Sequence, residues 1–311
     1  MMVFVWGFCR LLVLIIKVNA LLLLINLLFL FELFKNHFVD RLSEGKAVHE
    51  QYIGRLVMRR MLVGLLLVVA WYAQLFFFGM SEAGAVTLRL SVAASMKDLF
   101  GELGARYHAR YPDVAFVANY GASGALAGQI EQGVPVDLFV SANPEWIEYL
   151  NRKGLLEAGS IRIIAGNELV FVGVKGTEVK AMGGLGRLSR IAIGNPKSVP
   201  AGKYAMTALE RSGQAAFVQG KLVMARDVRE CLMYAEMGEV DGAFVYLTDG
   251  LMAKRSTVLF RVPRELYPEI VYPAGILASS PNKRETAAFL LWLGSAEAKS
   301  LFSKYGFLPR E

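Results

Sequence analysis

The sequence predicts an α/β protein behind an apolar N-terminal region, and three observations carry that reading. From Val86 onward, short apolar runs with strand alternation take turns with segments of helical spacing. Ahead of Ala85 two long apolar runs give the chain a different composition, so that region belongs to a different part of the protein. Four of the turns that open helices are built from the same small or capping residues.

The apolar region comes first along the 311 residues. Residues 11–34, LLVLIIKVNALLLLINLLFLFELF, are long enough to span a bilayer. Lys17 near its centre costs about 2.5 to 3.5 kcal/mol on an insertion scale, and the many Leu, Ile and Phe, each favourable by about 0.3 to 0.6 kcal/mol, outweigh it. A polar link, 36–57, leads to Met58-Arg59-Arg60 and a second apolar run, 61–78, that ends in Ser81-Glu82-Ala83-Gly84-Ala85. A basic start, an apolar middle and an A-x-A ending make residues 58–85 a secretory signal peptide. Residues 1–57 then have two readings. Either translation starts at Met58 and 1–57 reflect a start codon placed too early, or two spans form a hairpin whose loop is held in the cytoplasm by Lys35, Arg41, Lys46, Arg55, Arg59 and Arg60. Both readings put the part after Ala85 outside the cytoplasm; cleavage gives a mature chain that begins near Val86, and spans that are retained would anchor the protein in the membrane.

That part carries 26 Lys and Arg against 22 Asp and Glu, a mild excess with no basic run of the kind that binds nucleic acid. It contains one cysteine, Cys231, and one histidine, His108, which excludes a disulfide within it and the usual zinc sites. His108 stands between Arg106 and Arg110 and reads as part of a solvated helix face; no neighbouring motif supports a Ser-His-Asp triad.

In chain order, Leu88, Leu90 and Val92 alternate as a strand, and the spacing of Met96, Leu99, Phe100 and Leu103 is helical. Ser95 sits where the period changes, either as an N-cap or with its hydroxyl turned towards an anion at the same positive helix end. Residues 114–119 read as a strand, 124–132 as a helix, 136–140 as a strand and 145–153 as a helix. Residues 169–174 form a fully apolar strand, 191–193 another and 203–212 a helix. Residues 228–237 read as a helix, 242–246 and 270–278 as strands, and 282–294 open the closing helices. Such alternation predicts parallel sheets covered on both faces, with ligands at the carboxyl ends of the strands. Ala94-Ser95, Ala122-Ser123-Gly124, Val199-Pro200-Ala201-Gly202 and Asp227-Val228 each open a helix and expose N–H groups with no helical acceptor. Converging, four such turns make an anion site without a formal positive charge, and Tyr246 at a strand end adds a hydroxyl. Taken singly, Asp227 is an N-cap, Ala201-Gly202 a plain turn and Tyr246 a core-edge aromatic.

The order of AASMKDL, NYGASGALAGQIEQGVPVDLFVSAN, VPAGKYA, DVRECL, AFVY with Thr248-Asp249, and KYGF resembles the periplasmic molybdate-binding proteins of ABC transporters across essentially all of Val86 to Glu311. The resemblance implies a two-lobed periplasmic-binding-protein fold of type II, with residues 86–167 and 273–311 in lobe 1, 168–272 in lobe 2, and crossings near 167–170 and 272–275. It implies that the protein is not an enzyme and has no cofactor or directly coordinated metal. Its expected role is to capture molybdate or tungstate as a periplasmic monomer and deliver it to an inner-membrane permease with a cytoplasmic ATPase. The implied ligand contacts are the hydroxyls and backbone N–H groups of Ser95 and Ser123, the N–H groups of Ala201 and Val228, and the Tyr246 hydroxyl. No Lys or Arg is assigned to this ring. The GASG turn keeps one hydroxyl where the family's turn is serine-rich, which makes Ser123 harder to replace. Competing expectations are a binder of another tetrahedral oxyanion such as sulfate, an enzyme using Lys97, Asp98 or Asp249, and a membrane-anchored sensor ectodomain.

Overall fold

The computed structural model describes residues 85–310 and, ahead of them, the helical positions 32, 59–60, 62–64, 66–68 and 71. Apart from those positions, the expected span 11–34, the readings of 1–57 and the signal peptide 58–85 lie outside the described residues. Among the described residues no helix is long and apolar enough to cross a membrane. The chain divides into two units, Met1–Glu82 and Ala83–Glu311.

The second unit is built on two sheets. It opens with β1 (Val86–Ala93), a 3₁₀ turn at Ala94–Met96 and α1 (Lys97–Arg110), followed by β2 (Val114–Gly121), α2 (Ser123–Glu131), β3 (Leu138–Val140), α3 (Pro144–Arg152) and β4 (Arg162–Asn167). Next come β5 (Leu169–Val174), β6 (Ile191–Gly194), α4 (Pro200–Arg211), α5 (Ala215–Val218), β7 (Leu222–Ala225), α6 (Val228–Met237), β8 (Gly242–Tyr246), α7 (Leu247–Leu251) and β9 (Ser256–Arg261). The chain closes with β10 (Ile270–Ile276), α8 (Lys283–Trp292), α9 (Ala296–Lys304) and β11 (Leu308–Pro309). The first sheet has the order β11-β4-β10-β3-β1-β2 and the second β7-β6-β8-β5-β9.

The sheets are mixed, which corrects the expectation of purely parallel ones. β1 runs parallel to β2 and β3, and β6 parallel to β7 and β8. β10 is antiparallel to β3 and β4, and β5 antiparallel to β8 and β9. The reason lies in the crossings. β1, β2, β3, β6 and β8 finish where helices open, whereas β5 and β10 enter their sheets from the other lobe at that same end and must run the opposite way.

Glu168 alone separates β4 from β5, so the first crossing is one residue long. The return occupies 262–269, a few residues ahead of the expected 272–275. Ile270 already pairs with Asn167, so the apolar run from Ile270 bonds within the first sheet and the crossing falls to a polar, proline-containing segment. Glu168 forms ion pairs with Arg261 and Arg264 and so ties one crossing to the other. Burial alone would raise its pKa, but hydrogen bonds from the two arginines outweigh that and hold the carboxyl below its ordinary range.

Strands with a continuous apolar run are buried on both faces, as β8 (GAFVY) is throughout. Phe171 packs its ring 4.9 Å from that of Phe244 and stacks at 5.3 Å on Phe260, which locks β5 between its neighbours. In the first lobe, Phe289 meets Tyr107 edge-on at 5.0 Å and so seats α8 on α1.

Candidate functional site

The ends of β1, β2, β3, β6, β7 and β8 meet at one cleft. Its walls are the turns at Ala93–Ser95, Gly121–Ser123 and Ala142 from the first lobe, and those at Val199–Ala201 and Asp227–Val228 with Tyr246 from the second. All five residues singled out in the sequence, Ser95, Ser123, Ala201, Val228 and Tyr246, line it. The space among these walls is about 210 Å³ including its mouth open to solvent, room for a small solute only.

Local chemistry explains how each group faces the cleft. Ser123 is the first residue of α2, with the extended Ala122 before it. Its Oγ accepts the N–H of Ala142 at 3.0 Å. Ser95 makes no capping bond, and its Oγ lies 2.9 Å from Tyr272 Oη, so of its two sequence readings the N-cap is not realised. Ala201 lies in the first turn of α4, after Pro200, where N–H groups have no intrahelical acceptor. That turn lies directly on β6: a Cβ at Gly202 would come 1.8 Å from Gly194 O, so only glycine allows the approach. Asp227 is the N-cap of α6, as expected; its Oδ1 accepts from Arg229 N at 2.9 Å and Glu230 N at 3.0 Å, leaving the Val228 N–H uncapped. Tyr246 is 1% exposed, and its Oη has no hydrogen-bond partner among the described residues. Burial pushes that phenol's pKa well up, so it keeps its proton.

The lobes touch across the cleft. Gly124 N donates to Ser198 O at 2.9 Å, and a Cβ at 124 would stand 2.8 Å from that oxygen and 2.6 Å from Trp146 Cζ2. Lys203 reaches Glu145 at 2.5 Å, an exposed pair worth little by itself. A cation missed in the sequence sits beside the ring. Arg229 Nη2 donates to Asp98 Oδ2 at 2.7 Å and to Ser95 O at 3.1 Å, both in the first lobe. Its Nε lies 2.8 Å from Oδ1 of Asp249 in the second, close enough for an ion pair though off the line of the N–H. Burial pushes the Asp249 carboxyl up to about 7 against the pull of Arg229. The available signal was position, since Arg229 directly follows Val228 in DVRECL.

The enzyme candidates separate on this geometry. Asp98 and Asp249 are both engaged by Arg229, and Lys97 is exposed. His108 is exposed on α1, its Nδ1 2.8 Å from Val114 O, away from the cleft. Among the described residues no group of three or more His, Cys, Asp or Glu could hold a metal ion.

Two mixed α/β lobes that meet over a small cleft rich in N–H and O–H donors define a protein built to bind a small solute. The match to known proteins has the same extent. Residues 88–308 match the family of bacterial extracellular solute-binding proteins, and the chain belongs to it. It is 37% identical to the putative ABC transporter substrate-binding lipoprotein YvgL of Bacillus subtilis, covering 71% of this chain and 86% of that one. It is 30% identical to the molybdate-binding protein ModA of Haemophilus influenzae, covering 74% and 92%. The structure of the Azotobacter vinelandii periplasmic molybdate-binding protein superposes with a TM-score of 0.66 at 25% identity, covering 72% of this chain and all of that one. The chain therefore has the two-lobed periplasmic-binding-protein fold and is an extracytoplasmic solute-binding component of transport, not an enzyme.

Proposed function

We propose that the protein captures molybdate, or tungstate of nearly the same shape and charge, between its lobes and delivers it to an inner-membrane ABC permease driven by a cytoplasmic ATPase. The observation that carries this reading is the Tyr246 hydroxyl, buried, protonated and without a partner among the described residues, at a cleft ringed by helix N-termini. The ligand oxygens would accept from Ser95 and Ser123, from the N–H groups of Ala201 and Val228, and from Tyr246. Molybdate is the cargo, held through hydrogen bonds, and no resident metal or cofactor is required. The protein would act as a periplasmic monomer whose mature chain begins near Val86 after removal of residues 58–85, with 86–167 and the C-terminal segment forming one lobe around the other.

Selectivity follows from the donors. Near neutral pH phosphate carries at least one proton, which would meet no acceptor in the ring, at a cost of about 1 to 3 kcal/mol. Sulfate has the charge of molybdate but is smaller, and donors fixed on several helix ends cannot all follow it inward, so contacts lengthen and weaken. Competition calorimetry with molybdate, tungstate, sulfate and phosphate is the test. Tight binding of the first two is expected, and sulfate displacing molybdate at equal concentration would replace this reading with the sulfate one.

A further inference from the structure

A serine hydroxyl has one proton and two lone pairs, so Ser95 can meet a ligand as donor or as acceptor. Three buried groups behind it decide which. Asn167, the last residue of β4, accepts the N–H of Glu168 on its Oδ1 at 2.9 Å, which places the amide nitrogen on the other side. That nitrogen donates to Thr248 Oγ1 at 3.0 Å and to Tyr272 Oη at 3.2 Å and so uses both hydrogens. Tyr272, buried in β10, thus already accepts one hydrogen bond, and burial pushes its pKa far enough up that it keeps its own proton. Among the described residues Ser95 Oγ, at 2.9 Å, is the group placed to accept that proton. Were Ser95 the donor, the Tyr272 O–H would be buried without an acceptor. The direction is therefore Asn167 to Tyr272 to Ser95, and the proton of Ser95 is left for the cleft. Ser123 has the same arrangement, its Oγ accepting from Ala142 N and its proton free.

We infer that Tyr272, oriented by Asn167, is a positioning residue that makes Ser95 an obligate donor, so that the cleft selects fully ionised oxyanions over those carrying a proton. The inference rests on the oxyanion reading above and adds residues of β4 and β10, the strands next to the crossings, to the determinants of specificity.

Asn167→Asp tests it by reversing the chain. A carboxylate accepts from Tyr272, Tyr272 then accepts from Ser95, and the lone pairs of Ser95 face the cleft. The added charge weakens all dianions alike, so the readout is the ratio of molybdate to inorganic phosphate affinity at about pH 8.5, where phosphate is almost wholly the dianion that keeps one proton, measured by calorimetry. It should fall by about tenfold or more, the worth of one hydrogen bond to a charged group. Tyr272→Phe gives a second, independent measurement. It should lower molybdate affinity by about threefold to tenfold in the parent protein and have no effect in a Ser95→Ala background, because Tyr272 acts only through Ser95. An unchanged ratio in Asn167→Asp, or equal losses from Tyr272→Phe in both backgrounds, overturns the inference; if Asn167→Asp does not fold, the second measurement decides. Should the parent protein take sulfate in place of molybdate, the ligand reading fails, while the ratio of sulfate to phosphate carries the same test.

Discussion

The two lobes present the same kind of group to the cleft by different means. In the first lobe the side-chain donors Ser95 and Ser123 are already engaged on their acceptor side, by Tyr272 Oη and by Ala142 N, so each hydroxyl is part of the folded structure before a solute arrives. In the second lobe the N–H groups of Ala201 and Val228 belong to the backbone, and Tyr246 Oη, its side-chain donor, has no partner among the described residues. A satisfied hydroxyl contributes to stability as well as to binding, while an unsatisfied one holds its contribution in reserve for the ligand. The second lobe is thus incomplete by one hydrogen bond in a way the first is not.

Substitutions can break or sharpen this contrast. The largest effect is expected at the contact joining the lobes. Arg229→Ala leaves fully buried Asp249 without its cation and should destabilise the protein by about 3 kcal/mol, the low end for a broken buried pair because Arg229 is partly exposed. Denaturant unfolding measures it, and a loss below about 1 kcal/mol would place the pair with ordinary surface contacts.

Ser123→Ala should lower molybdate affinity by about 1.5 to 3 kcal/mol, roughly tenfold to a hundredfold, and also lower the melting temperature of the unliganded protein, because the buried Ala142 N–H loses its acceptor. Tyr246→Phe should weaken binding by about tenfold and leave the unliganded melting temperature unchanged. These two variants test the comparison directly: an equal loss of unliganded stability in both would mean that the lobes do not differ in the proposed way. The smallest effect is expected for His108→Ala, which should change neither affinity nor, by more than about 0.5 kcal/mol, stability. A loss at His108 matching that at Ser123 would move the site elsewhere.

What could be read from the chain was local. Residues 169–174, 228–237 and 242–246 have the observed bounds of β5, α6 and β8, because a buried strand and a capped helix write their period into neighbouring residues. The turns that carry the five residues were legible for the same reason, each lying where strand chemistry gives way to a helix start, while the individual residues were picked out by the resemblance of the motifs. β4, β7, β9 and β11 were missed. β7, LVMA, is apolar throughout but only four residues long and mostly half-exposed, too short for a period to be read, and it forms because β6 supplies the hydrogen bonds.

By itself the sequence determined the α/β alternation, the division near Ala85, the helix-opening turns and, through the order of its motifs, the family. Only the tertiary structure decided the strand directions, the position of the return crossing, the Arg229 contact between lobes and the chain from Asn167 through Tyr272 to Ser95. The physical reason is distance along the chain. Ser95 and Tyr272 are 177 positions apart and Arg229 and Asp98 131, so no local period links them. A tyrosine inside the apolar β10 signals only that its hydroxyl needs a buried partner. Which partner, and which way the proton points, is settled by the assembly of β1, β4 and β10 into one sheet.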